Sequence, residues 1–261
     1  MTLVSYNITV PASRERSDFF NTPFDPLSFE EVVEKIQTFD ETSPYRYIVT
    51  PNVDHVVRLN RDESLREYYR TAWLSLCDSA PISTFALLLW VDLPIVTGSD
   101  LTEAMFRSVI REGDNVTLIV AHDEVAERAR LAFPHVNFRS MVPPQNLSGN
   151  PDAMKACIDF IAAEPSRFIF IAVGSPQSER IACGLAAHPE ARGLALCCGA
   201  SIEFLVGIQK RAPHILRGSG FEWLYRLASN PRRLFGRYAS TVLPLAGLMG
   251  SEVIKTIRGR R

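Results

Sequence analysis

Six short apolar runs, separated by stretches of helical pattern, constrain this chain more than any other feature. They are Tyr45–Thr50, Trp73–Cys77, Val116–Ala121, Val136–Met141, Phe168–Val173 and Leu194–Cys198. A strand with one wet face alternates polar and apolar residues, whereas runs of largely continuous apolar character need cover on both faces. Helical patterns lie near 28–39, 60–70, 80–91, 99–112, 123–132, 151–163 and 176–187. The first opens with Ser28 and has Glu31 three residues on, a capping-box spacing. Strand and helix in turn give an α/β, Rossmann-like fold, a parallel sheet with helices on both faces. Ligands of such sheets bind beyond the carboxyl ends of the strands, so polar residues just after each run are the first candidates for a site.

Charge divides the chain in two. Residues 207–261 hold 11 Lys and Arg against 2 Asp and Glu, whereas residues 1–206 hold 17 against 27, giving +9 and −10 around a net −1. We therefore expect an α/β core over 1–206 and a basic, amphipathic helical appendage over 207–261 that meets an anionic partner. In the appendage, a helix near Ser219 would put Phe221, Leu224 and Leu227 on one side with Arg226 beside them. Asn230-Pro231 is a start signal for another helix, on which Arg233 and Arg237 lie four apart and share a face. Val242 to Ile257 is apolar and runs into Arg258, Arg260 and Arg261, the make-up of a peripheral membrane segment.

Several classes are excluded. The longest apolar stretch, Phe85 to Val96, is broken by Asp92 and Pro94 and falls well short of the roughly 20 residues that span a bilayer. Arg14, Glu15, Arg16 and Asp18 leave no apolar leader near the start, so no signal peptide is expected. The cysteines (Cys77, Cys157, Cys183, Cys197 and Cys198) are odd in number and lack C-x-x-C spacing, which reads as reduced core thiols in a cytosolic protein. The histidines are scattered and no D-x-D triplet occurs, so no metal and no cofactor is expected. Basic and aromatic residues interleave in the tail, but without a recognition motif and with a near-neutral chain nucleic acid is not the expected partner.

Arg211-Ala212-Pro213, Glu222-Trp223-Leu224-Tyr225-Arg226-Leu227, Pro231, Arg233-Leu234 and Arg237-Tyr238 together resemble the C-terminal signature of the WecG/TagA/CpsF glycosyltransferase family. Thr50-Pro51-Asn52-Val53-Asp54-His55, Asp78 after an apolar strand, Thr97-Gly98-Ser99-Asp100-Leu101 and Gly174-Ser175-Pro176-x-x-Glu179 fit in order, so the resemblance covers about residues 45 to 238. It implies an inverting, metal-independent hexosyltransferase that moves a sugar from a UDP-sugar to a sugar on polyprenyl diphosphate. Such enzymes serve envelope or extracellular polysaccharide synthesis at the cytosolic membrane face, with the basic tail approaching the membrane and closing over the site. Asp78 would be the general base, since attack by a sugar hydroxyl needs a carboxylate within hydrogen-bond reach. Thr50, Asn52, Gln177, Ser178 and Glu179 would bind substrate. Arg211, Arg226, Arg233 and Arg237 would hold the departing diphosphate through planar guanidinium groups.

The chain also departs from the family pattern: Ser79 stands for Gly, Ile95 for Arg, Ser178 for Gln with Gln177 adjacent, and Ala121-His122-Asp123 for a Gly-rich turn. These losses leave open a second reading, a non-catalytic relative that partners a polysaccharide assembly complex. The residues alone also allow simpler roles. Asp78 could cap a helix, Thr50 and Asn52 could be turn residues around Pro51, and His55 is more readily structural than a ligand. The arginines could only solvate a surface. A homo-oligomer is left open.

Overall fold

The computed structural model describes residues 15–209 and 231–259, with side chains of the last segment described from Thr241 on. Arg46–Val49 (β3), Leu74–Ser75 (β4), Asn115–Val120 (β5), Asn137–Met141 (β6), Phe168–Ala172 (β7) and Leu194–Cys197 (β8) form one parallel sheet, in the order β4-β3-β8-β7-β5-β6. All six expected strands are present. In β3, β5, β7 and β8 the apolar character has the cause inferred from sequence, whereas the edge strand β6 has no buried residue. Ile48, Leu118, Phe168, Phe170 and Leu196 bury into one layer, and Tyr47, Val49, Ile119, Ile169, Ile171 and Ala195 into the other. The first layer is completed by helices α1 (Phe29–Gln37), α5 (Gly98–Ala104), α6 (Asp123–Ala132) and α9 (Ser201–Leu205). The second is completed by α2 (Val53–Arg61), α3 (Glu67–Arg70), α7 (Pro151–Ala162) and α8 (Gln177–Ala186). Ser28 and Glu31 make the expected capping box on α1.

Several boundaries differ from the sequence expectation. The helix placed at 60–70 begins instead at Val53, because the Asn52 side chain accepts the amides of Asp54 and His55. It breaks at Asp62, whose extended backbone and side-chain cap start a new 3-10 turn, Glu63–Leu65. The helix placed at 99–112 runs as α5 and then widens into a π-turn, Met105–Val109.

The β4 edge of the sheet is closed by a hairpin that the sequence did not reveal, Ser17–Phe19 (β1) and Thr22–Phe24 (β2). Its turn puts Phe20 and Asn21 at φ 56° and 55°. Asn tolerates this left-handed conformation and Phe does not. The cost is offset by burial, since Phe20 is fully enclosed and stacks on Phe85 at 5.7 Å. After the hairpin, Asp25 accepts the Ser75 amide at 2.7 Å and is held by Arg16 at 2.7 and 2.9 Å, so the exposed edge of β4 is paired by a side chain.

Helix α10 (Pro231–Gly259) starts at the proline that sequence marked. Leu245, Leu248 and Met249 pack on the cluster of Phe19, Phe20, Val56 and Ala86, and buried Glu252 accepts the Phe20 amide at 3.2 Å. Lys255 reaches Glu252 at 2.8 Å and Asn21 at 3.1 Å, so the hairpin turn and α10 hold each other. Helix α4 (Ala80–Leu88) packs in the same cluster through Ile82 and Ala86. It ends in a Schellman turn, with Trp90 N–H on Leu87 O at 3.0 Å and Val91 N–H on Ala86 O at 2.9 Å. The left-handed position of that turn, usually glycine, is held by Trp90 at φ 64°, a conformation that costs a non-glycine residue about 1–2 kcal/mol. The four most enclosed thiols, Cys77, Cys157, Cys197 and Cys198, lie in or beside these layers as expected of core cysteines, and burial pushes Cys77 up to about 12.

Gly193 leads into β8 at φ 81°, and a Cβ there would stand 2.0 Å from Ser166 O. Gly113 has nearly the same φ, 82°, with nothing within 4 Å of its Cβ position. Gly193→Ala should therefore lower stability by about 3 kcal/mol or more, and Gly113→Ala by about 1 kcal/mol, as read by thermal melting. Equal losses would contradict the close approach at β8.

Candidate active site

Asp78, Thr50 and Ser201 come from three loops and meet around one glycine. A Cβ on Gly98 would lie 2.9 Å from Thr50 Oγ1, 3.5 Å from Ser201 Oγ and 3.8 Å from Asp78 Oδ2. The three loops follow β3, β4 and β8, which are neighbours in the sheet, so their carboxyl ends converge although the residues lie far apart in sequence. Asp78 N–H donates to Pro51 O at 3.1 Å, tying the loop after β4 to the loop after β3. The Gly98 amide, at the start of α5, donates to Asp78 Oδ2 at 3.2 Å. Such first-turn amides have no partner within the helix, which makes this carboxylate a suitable acceptor.

Asp78 is not the cap of α4, although its bond to the Gly98 amide serves the first turn of α5. The cap of α4 is Ser79, whose buried hydroxyl accepts the Ile82 amide at 3.4 Å. Asp78 is half-buried, one residue ahead of that cap, with its carboxylate turned to Gly98. The Ser that replaces the family's Gly thus has a structural task.

The partners of the cluster are fixed in turn. Thr97 caps α5 by accepting the Asp100 amide at 3.0 Å, and its hydroxyl donates to the Asp100 carboxylate at 2.6 Å. Ser201 donates to Cys198 O at 2.6 Å and therefore accepts from Ser99, 3.2 Å away. Ser201 escaped the sequence reading, although Cys198-Gly199-Ala200-Ser201 directly after a strand was the signal for it. The arrangement offers a sugar a carboxylate to take a proton and hydroxyl groups to position its own.

Asn52 and the 177–179 segment have different standing. Asn52 caps α2, with its N–H given to His55 Nδ1 at 3.1 Å, so its side-chain oxygen is committed to the helix. That bond leaves the proton of a neutral His55 on Nε2, which faces Glu179 Oε1 at 3.8 Å. Glu179 is buried on α8, beyond β7, and accepts the Tyr69 hydroxyl at 3.2 Å. Burial raises its carboxyl above the usual range, with the Tyr69 hydrogen bond and the Arg58 charge acting the other way. Its Oε2 and the Ser178 hydroxyl are buried polar atoms with no partner among the described residues. The Gln177 side chain donates to Ser148. Arg58 clamps the loop by donating to Ser175 O at 2.6 Å and to Asp54 at 2.7 Å.

Arg211 and Arg226 fall outside the described residues, as do the side chains of Arg233 and Arg237 on α10. Ile95 pairs through its backbone with Cys77, extending the β4 register toward Asp78. His122 sits at the cap position of α6 without a side-chain cap bond, beside exposed Ala121. Among the described residues, no three His, Cys, Asp or Glu side chains converge as a metal site.

Residues 17–259 match the glycosyl transferase WecG/TagA/CpsF family, which takes in the sheet, the cluster around Gly98 and α10. A parallel sheet, a carboxylate at the carboxyl end of a strand and a match over nearly the whole chain agree, and the protein belongs to the WecG/TagA/CpsF family of glycosyltransferases.

Proposed function

We propose that this glycosyltransferase moves a sugar, with inversion, from a UDP-sugar to a sugar carried on polyprenyl diphosphate, for envelope or extracellular polysaccharide. The observation that carries this reading is the state of Asp78: the helix cap beside it is made by Ser79, and its carboxylate is aimed at Gly98 among the hydroxyls of Thr50 and Ser201. The acceptor hydroxyl attacks the anomeric carbon on the face opposite the diphosphate. Its proton passes to the Asp78 carboxylate, the new glycosidic bond forms, and the sugar–phosphate bond breaks with its electron pair going to the β-phosphate oxygen of UDP. Thr50 orients the sugar, and the Asn52 amide nitrogen is the part of that side chain left for substrate. Gln177, Ser178 and Glu179 flank the donor. The unpartnered Ser178 hydroxyl at the start of α8 suits a diphosphate oxygen.

Charge on the leaving diphosphate is met by Arg211, Arg226, Arg233 and Arg237, not by a metal ion. The basic segment 207–261 also draws the enzyme to the cytosolic membrane face, at about 1 kcal/mol per cation close to an anionic surface. Contact with the bilayer is peripheral in this reading: no helix among the described residues is long and apolar enough to cross a membrane. Helix α10 docks through Leu245, Leu248 and Met249 and leaves Val242, Leu243, Ile254 and Ile257 exposed, which supports a membrane-facing side.

Asp78→Asn should lower turnover by about 10²–10⁴-fold with nucleotide affinity and melting temperature nearly unchanged, measured as UDP release with a lipid-diphosphate sugar acceptor. Wild-type turnover in that variant would remove Asp78 as base, and no UDP release by the wild type from any UDP-sugar would favour the non-catalytic relative. Gly98→Ala should also slow transfer, since its methyl would press on the Thr50 hydroxyl, while the fold survives. Activity in excess EDTA should equal activity without it; a loss that magnesium or manganese restores would refute metal independence.

A further inference from the structure

We propose that the tip of α4, formed by Leu87, Leu88 and Trp90, is a second membrane-contacting surface, which inserts into an anionic bilayer interface alongside α10. The proposal rests on the membrane-facing reading above and adds a site outside the basic tail. Three features single out this tip. Its side chains are 67%, 71% and 74% exposed, a concentration of large apolar groups on one turn. From Ala80 to Val91 the chain has no ionisable side chain, and the exposed carboxylate that follows, Asp92, lies beyond the tip. Trp90 occupies the left-handed position of a Schellman turn, with both of its defining hydrogen bonds made.

The third feature decides the matter. A glycine at position 90 would relieve the backbone, and a polar residue would suit the solvent. Neither packing nor conformation calls for an indole there. Strain kept at an exposed residue points to a function met outside the folded chain. Indole rings favour the boundary between headgroups and acyl chains, where an apolar body and a polar N–H are both accommodated.

A lipid surface fits better than a second protein because of what lies alongside. The buried side of α4 shares its cluster with α10, whose outward residues Leu243, Ile254 and Ile257 are apolar and lead into Lys255 and Arg258. Apolar side chains bordered by cations match an anionic interface in both hydrophobicity and charge. The start of α4 is at Ser79, next to Asp78, so seating its far end in the interface would hold the candidate base near the plane of a lipid-borne acceptor.

The test uses the full chain and vesicles of mixed phosphatidylglycerol and phosphatidylcholine. Trp90→Gly should melt no lower than wild type, because it removes strain, yet partition to vesicles about tenfold more weakly. Brominated lipids should quench wild-type tryptophan fluorescence, and Trp90→Phe should lose most of that quenching. With a short-chain, water-soluble acceptor, Trp90→Gly should keep wild-type turnover. Equal vesicle binding by wild type and Trp90→Gly would overturn the proposal, as would unchanged binding together with loss of a dimer in sedimentation, which would assign the tip to a second copy. If the wild type itself ignores vesicles while transferring to the soluble acceptor, the membrane-facing reading falls as well.

Discussion

A parallel strand enclosed on both faces can satisfy its amides and carbonyls only through its neighbours, and the pairing of β3 with β8 is the one on which this molecule turns. Arg46–Ile48 lies against Leu194–Leu196, joining segments about 150 residues apart and setting the register of the central sheet. Because β4 flanks β3 on its other side, the ends of three strands are delivered to one place. Thr50, Asp78 and Ser201 are neighbours for that reason alone. The close approach of Gly193 to Ser166 belongs to the same constraint, since β8 must enter between β3 and β7 with no room for a side chain at its threshold.

What the residues told in advance follows from where burial is continuous. Phe168–Ala172 and Leu194–Cys197 are enclosed on both sides, so their composition alone marks them as central strands; Asp78 stands out by following another apolar run, whereas Thr50 is named through the family resemblance. The hairpin at 17–24 left no such trace. Its strands are three residues long, and its turn uses Phe20, a residue no turn rule selects, because burial against Phe85 outweighs local preference. The task of Asn52 was legible only in part: it reads as a substrate ligand or a turn residue beside Pro51, and the structure shows that its side-chain oxygen caps α2. Ser201 was missed because a serine after a strand carries no chemistry of its own until Gly98, from a distant part of the chain, is folded beside it.

The departures from the family pattern divide in the same way. Ser79 and Ile95 are explained locally, one as the cap of α4 and the other as a backbone extension of the sheet past Cys77. Gln177 is turned to Ser148, so the hydroxyl of Ser178 is what this chain presents at the start of α8, with the buried Glu179 carboxyl behind it. A buried hydroxyl with no partner among the described residues keeps a desolvation penalty that only a hydrogen bond would relieve.

The contact between Glu252 and the Phe20 amide spans 232 residues of sequence. It joins the hairpin to α10, and the segment after the hairpin supplies Asp25, the side chain that pairs the β4 edge below Asp78. On a ribosome, the sheet and the cluster around Gly98 emerge well before Glu252 does. The Phe20 amide therefore gains its Glu252 partner only once α10 has been made. Docking of the hairpin onto α10 is in this sense a late event in the life of the chain, timed by the emergence of one acidic side chain and not by completion of the sheet.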